Sequence, residues 1–216
     1  MSGHRTRRVR AYLGLGANLG DAAGTLAWAV AELRRQPGLA VVAVSPLYRT
    51  APWGVADQPP FRNAAVAIDV RVDAALDAEA AALELLARLK SIERDAGRRP
   101  GRRWGPRELD LDLLVFGRHR IRVERPPEAR SLDAGHDPAK AGRLLEVPHR
   151  DLGERLFALA PLADLAPRLV PPGWASTVET RRRAVARREP PDAAVVVGEW
   201  DDRRRRWRVS EDAGSG

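Results

Sequence analysis

The sequence predicts an α+β sandwich in which helices pack on a mainly antiparallel sheet, and two observations carry the prediction. Apolar residues recur with a two-residue period in four stretches and with helical period in two others. The stretches follow in the order strand, helix, strand, strand, helix, strand, which is the connectivity of a split βαβ, or ferredoxin-like βαββαβ, arrangement. Composition agrees, since 216 residues with 44% hydrophobic and 31% charged content suit one compact domain with appendages.

Each element has its own signal. In residues 9–15, Val9, Ala11, Leu13 and Leu15 alternate with Arg10, Tyr12 and Gly14, as in a strand, and a glycine-rich turn follows. Leu26, Ala29, Val30 and Leu33 then recur at helical spacing over about 24–36, and Pro37-Gly38 stops that helix. Residues 39–50 and 61–72 read as strands, separated by APWGVADQPP, whose prolines and glycine forbid regular structure. A long helix is predicted over 77–96, with Ala82, Leu85, Leu89, Ile92 and Ala96 on one stripe and Gly97 beyond it. ELDLDLLVF (108–116) is the fourth strand. Residues 125–142, rich in Pro, Gly and charge without a period, read as a mobile surface insertion. A short helix at about 152–160 would be capped by Asp151 and Glu154 and ended by Pro161. The predicted domains are thus 1–172 and a basic C-terminal extension, 173–216, holding a helix over 175–189 and a hairpin from AAVVVGEW and RRWRV.

Composition also excludes chemistry. There is no cysteine, which removes disulfides, thiolate nucleophiles and cysteine-ligated metals, so any metal is held by oxygen or imidazole. No run of about 18 apolar residues occurs, and MSGHRTRRVR has no signal-peptide core, so a cytoplasmic protein without membrane contact is expected. The formal charge is 37 − 29 = +8, carried almost wholly by arginine, with Lys90 and Lys140 the only lysines. Neither lysine follows a glycine, which excludes a Walker-type phosphate loop. Arginine still suits phosphate, because its rigid fork grips two oxygens at once.

The most informative stretch is 97–117. On a strand Asp110 and Asp112 share one face, roughly 7 Å apart at about 3.3 Å of rise per residue. Alternation alone leaves a merely polar strand face as probable as a metal site. Before the pair stand Arg98, Arg99, Arg102, Arg103 and Arg107, among glycines and prolines that prevent a helix. Five cations against two carboxylates leave a surplus that a metal-bound polyphosphate would satisfy.

Arg103-Trp104-Gly105-Pro106-Arg107 followed by Asp110-Leu111-Asp112 resembles the signature of the 6-hydroxymethyl-7,8-dihydropterin pyrophosphokinase (HPPK) family of folate biosynthesis. GLGANLGD (14–21), SPLYRT (45–50), Asp57-Gln58-Pro59, Asn63-Ala64-Ala65 and Val147-Pro148-His149 match further family blocks in order, over about residues 10–170. GLGANLG on its own is read as a tight strand-to-helix turn, not a dinucleotide loop. The resemblance implies transfer of the diphosphate of ATP to the pterin hydroxymethyl oxygen, leaving AMP, with Asp110 and Asp112 as ligands of two Mg²⁺ and Arg98 and Arg107 on the phosphates. It further implies Glu93, Arg103, His149 and Arg155 as ATP contacts. The pterin would stack on Phe61 and Phe157, with Asn63 at its edge and Thr50, Pro52 and Trp53 as a wall. Trp104 would ride on an arginine loop closing over both substrates.

Three departures from the pattern stand beside this. The loop from Gly97 to Trp104 is one residue shorter, leaving Arg98, Arg99 and Arg102 as alternatives for the phosphate arginine. A further family arginine for ATP has Arg125 or Arg143 as candidates. The tail after about residue 175 has no counterpart; its Arg181–Arg183, Arg203–Arg206, Trp200 and Trp207 suggest nucleic-acid binding as the alternative function, while a solvated appendage is the preferred reading. A monomer acting on small molecules is expected.

Overall fold

The computed structural model describes residues 5–52, 57–98, 105–130 and 144–209. Its elements in chain order are β1 (Thr6–Ala17), α1 (Ala22–Arg35), β2 (Leu39–Val44), β3 (Leu47–Thr50), β4 (Phe61–Asp73), α2 (Ala78–Asp95), β5 (Asp110–Phe116), β6 (Ile121–Glu124), β7 (Leu144–Val147), α3 (Leu156–Leu165), α4 (Val178–Ala186), β8 (Ala194–Asp201) and β9 (Arg206–Val209). The main sheet runs β5-β1-β4-β3-β8-β9, with β2 also on β4, and every pairing is antiparallel. Among the described residues it is an α+β fold with an antiparallel sheet and four α-helices.

The periodicities decide which face each strand buries. Ala11, Leu13, Leu15 and Ala17 of β1 are almost wholly buried in the main core with Leu26, Ala29, Val30 and Leu33 of α1 and Leu85, Leu89 and Ile92 of α2. Both helices start at an aspartate whose carboxylate accepts an amide N–H, Asp21 from Gly24 and Asp77 from Ala80. α1 therefore begins at Ala22, two residues before the predicted start. The opposite sheet face is covered by α3 and α4, where Leu114, Val115, Leu159, Leu162, Val178 and Val185 form a second cluster.

The structure departs from the expectations at six places. The stretch 39–50 is two strands, because Pro46 has no N–H for the ladder; β2 pairs with Val66–Val70 of β4 and β3 with Phe61–Asn63. Gly14 and Gly16 belong to β1, and only Asn18–Asp21, with Gly20 at φ +57°, makes the turn. Pro161 lies inside α3 rather than ending it, since Ala158 to Ala163 are all buried and packing outweighs the missing hydrogen bond. Asp151 caps no helix; its carboxylate pairs with Arg155 at 2.6 Å, and a 3₁₀ turn over Leu152–Glu154 precedes α3. β6 and β7 form a separate two-stranded sheet that the sequence pattern had not revealed. Of the insertion expected over 125–142, residues 131–142 lie outside the described residues, whereas Pro127–Ala129 form a 3₁₀ turn that buries Ala129 in the main core rather than a mobile surface segment.

The C-terminal segment is built into the sheet instead of being laid on it as a solvated appendage. α4 is capped by Thr177, and β8 pairs with β3. Trp207 is buried in the main core, and Trp200 packs edge-on against it with ring centroids 4.6 Å apart, under the Arg34 guanidinium. The two rings offered for base stacking are thus spent on internal packing.

Candidate active site

Three strands place one residue each in a single cross-strand row. Asn63 of β4 lies opposite Gly16 of β1, and Gly16 lies opposite Asp110 of β5; in the next row Gly14 faces Asp112. Directly opposed residues share a sheet face, so Asp110, Asp112 and Asn63 all project to the α3 side. Gly16 is required by proximity, because a Cβ there would stand 3.1 Å from Asn63 Oδ1.

Asp110 sits at the end of a chain of alternating charges. Arg98 Nη1 donates to its Oδ1 and Arg107 Nη1 to its Oδ2. The Arg98 guanidinium is almost fully buried; it also donates to the Leu109 carbonyl at 3.2 Å and lies 2.9 Å from Glu93 Oε2. Glu93 Oε1 in turn accepts from Lys90 Nζ at 2.6 Å and from the Leu111 amide at 2.7 Å. Burial alone would raise the Asp110 carboxyl, but Arg107, Arg98 and Lys90 outweigh it and hold the group below the ordinary carboxylate range. Burial pushes Glu93 up, against Lys90 and Arg98; with three donors on its oxygens, we take it as ionised.

A cleft with about 540 Å³ of empty space, partly open to solvent, lies beside Asp110. Phe61 and Phe157 line it, with Asn63, Thr50 and Arg107. Arg155 reaches it too, its guanidinium 5.7 Å from the Phe157 ring centre. Asn63 Nδ2 donates to Thr50 Oγ1 at 2.8 Å, and both side chains are buried, so the amide is fixed in orientation.

The cleft therefore gathers Thr50, Phe61, Asn63, Arg107, Asp110, Arg155 and Phe157 of the expected residues. Asp112 is half-buried on the same face. Arg98 lies beneath Asp110 and Glu93 is 1% exposed, and neither lines the cleft; the Glu93 carboxylate meets Lys90 and Arg98. His149 stands outside the lining, its Nδ1 accepting from the Asp151 amide next to the Asp151–Arg155 pair. Pro52 follows β3, half-buried. Trp53, Arg99, Arg102, Arg103, Trp104 and Arg143 lie outside the described residues. Arg125 is described: its Nε donates to the Leu144 carbonyl at 3.0 Å, and burial lowers its pKa against the attraction of Asp112, Glu93 and Asp110.

One residue missed as a site component is Asn18. Its Nδ2 donates to Gln58 Oε1 and the Pro59 carbonyl, its Oδ1 accepts from the Arg107 amide at 2.7 Å, and its own amide donates to the Arg107 carbonyl. This buried amide joins the β1–α1 turn, the 57–60 loop and the segment entering β5. The signal was present, since GLGANLGD, Asp57-Gln58-Pro59 and the Arg107 block occur together.

Two carboxylates on one sheet face, one of them gripped by two arginines, beside a cleft lined by two phenylalanines, fit a transferase of the kinase class. The chain belongs to the 7,8-dihydro-6-hydroxymethylpterin-pyrophosphokinase (HPPK) family, whose model matches residues 12–167. It is 44% identical over 182 residues, 84% of this chain and 95% of the relative, to the 2-amino-4-hydroxy-6-hydroxymethyldihydropteridine pyrophosphokinase of Methylorubrum extorquens. To the enzyme of that name from Pseudomonas aeruginosa it is 41% identical, covering 74% of this chain and 82% of that one. The fold resembles that of Plasmodium falciparum HPPK-DHPS with a TM-score of 0.66 at 15% identity, over 96% of this chain and 49% of that one. This chain thus spans about half the length of that one.

Proposed function

We propose that the protein transfers the diphosphate of ATP to the hydroxymethyl oxygen of 6-hydroxymethyl-7,8-dihydropterin, giving AMP and the pterin diphosphate. The observation that carries this reading is the cross-strand row Asn63–Gly16–Asp110, which sets a fixed amide and a carboxylate along one cleft. A flat heterocycle between Phe61 and Phe157 would meet Asn63 along its edge and turn its hydroxymethyl group toward Asp110.

Asp110 and Asp112 suit magnesium. Their oxygens are the hard donors that magnesium prefers, and among the described residues no group of three or more His, Cys, Asp or Glu is arranged to hold a metal. Asp110 and Asp112 would hold two Mg²⁺, which would supply charge neutralisation for the transferred group. Phosphoryl transfer requires positioning and charge stabilisation more than covalent help, and the chain's cations supply both. Arg107 lines the cleft, and its guanidinium can exchange Asp110 for phosphate oxygens. Arg98 is anchored by Glu93 and the Leu109 carbonyl, so it serves by holding Asp110 and by adding positive potential beneath it. Arg155 would meet the nucleotide from the α3 side, with His149 held next to it through Asp151, and Arg125 would face the phosphates from the end of β6.

Several further readings belong here. The order β5-β1-β4-β2 supports a ferredoxin-like βαββαβ core, and the match ending at residue 167 supports 1–172 as the catalytic domain with 173–216 as its extension. No helix among the described residues is long and apolar enough to cross a membrane, and we read the enzyme as a cytoplasmic monomer. Purified protein given ATP, Mg²⁺ and the dihydropterin should release AMP; release of ADP would overturn the proposal.

A further inference from the structure

We infer that the C-terminal hairpin is a positioning element for the pterin wall, anchored by Trp207. The inference rests on reading the cleft as the pterin site. β3 is only four residues long, yet it carries Thr50, which lines the cleft and holds Asn63. With β4 as its single neighbour it would be a short edge strand with a free row of amides, the kind of element that opens locally. β8 occupies that edge, from Leu47 opposite Gly198 to Thr50 opposite Ala194.

The start of β3 is pinned as well. Ser45 is fully buried; its amide donates to the Ala65 carbonyl at 2.9 Å and its Oγ accepts from the Ala65 amide at 2.8 Å. Its carbonyl accepts from the indole Nε1 of Trp207 at 2.9 Å, a contact between residues 162 apart in sequence. Trp207 is kept in place by Trp200, whose Nε1 donates to Asp202 Oδ1 at 2.8 Å, and Arg34 of α1 donates to that same oxygen at 3.0 Å. On the sheet face, Tyr48 of β3 donates through its hydroxyl to Asp164 of α3 at 2.6 Å, tying β3 to the helix that carries Phe157. β3 is thus held at its edge, its start and its face, and two of those restraints involve residues beyond the family match.

Trp207→Phe tests this, because it keeps most of the packing and removes the bond to Ser45. The affinities for 6-hydroxymethyl-7,8-dihydropterin and for Mg²⁺-ATP would be measured by calorimetric titration, and amide hydrogen exchange by mass spectrometry. Pterin affinity should fall about fivefold, ATP affinity should stay within about twofold, and exchange in 45–50 should quicken while 110–116 is unchanged. A purely structural role would lower the folded fraction without separating the two ligands. Unchanged pterin affinity in folded protein, or equal weakening of both ligands, would overturn the inference. If Trp207→Phe does not fold, Asp202→Ala cuts the clamp at an exposed residue and should shift the same readouts in the same direction. Absence of diphosphate transfer by the unaltered protein would strike the functional reading alone, and the exchange experiment would still decide whether the hairpin holds β3.

Discussion

Replacing Glu93 by glutamine probes the charge chain under the site. The carboxylate is 1% exposed and meets Lys90 Nζ, the Arg98 guanidinium and the Leu111 amide. Glutamine keeps the shape but removes the charge, so Lys90 is left buried with only neutral acceptors, of which the Leu111 carbonyl at 3.2 Å is one. Removing one partner of a buried ion pair costs about 3–5 kcal/mol, a large part of a total stability of about 5–15 kcal/mol. For a chain of this size, each kcal/mol lowers Tm by roughly 2–4 °C, so a fall of roughly 6–20 °C is expected. Differential scanning calorimetry and urea unfolding would measure it. Adding Lys90→Met removes the stranded ammonium, so the double variant should be more stable than Glu93→Gln alone. A Glu93→Gln protein melting within about 2 °C of the parent would refute the reasoning, as would a double variant whose loss equals the sum of the single losses.

Asn18→Ala deletes bonds to Gln58, Pro59 and the Arg107 amide and leaves that amide without its acceptor; a loss of about 1–3 kcal/mol in urea unfolding is expected. Gly16→Ala puts a Cβ 3.1 Å from Asn63 Oδ1, so pterin affinity should drop about tenfold while the affinity for ATP is kept, as read by titration. Acid dependence follows from Asp110, whose folded pKa lies below its unfolded value of about 3.9. Its contribution is present above that value and is lost as pH falls through the lower folded one, so Tm should decline in acid and Asp110→Asn should flatten the decline.

Much of the fold was legible because β1, α1, β4 and α2 each set apolar residues at regular spacing on the face that enters the main core, and β5 does so as far as Leu113. What was not legible depends on distant partners. Nothing near Leu47–Thr50 announces β8, some 146 residues later, and β6 and β7 are each four residues long with the insertion between them. Pro161 reads as a stop until the burial of its neighbours is known. The site shows the same division. Asp110 and Asp112 were visible from strand alternation, whereas the aromatic walls and Asn63 came only from the family resemblance. Glu93 looked like a ligand, and by composition like a solvated charge; its spacing of four from Leu89 on the apolar stripe was the sign that it faces inward.

In the proposed reaction Asp110 and Asp112 hold magnesium for transfer of a diphosphate to a pterin seated by Asn63. Phosphorus NMR of a complete reaction, run in parallel with the parent protein and Asp112→Asn, tests it most directly. AMP is expected together with two coupled signals from a diphosphate ester on the pterin, and no product from the variant under the same conditions. ADP with a pterin monophosphate, or equal progress by the variant while it remains folded, would contradict it.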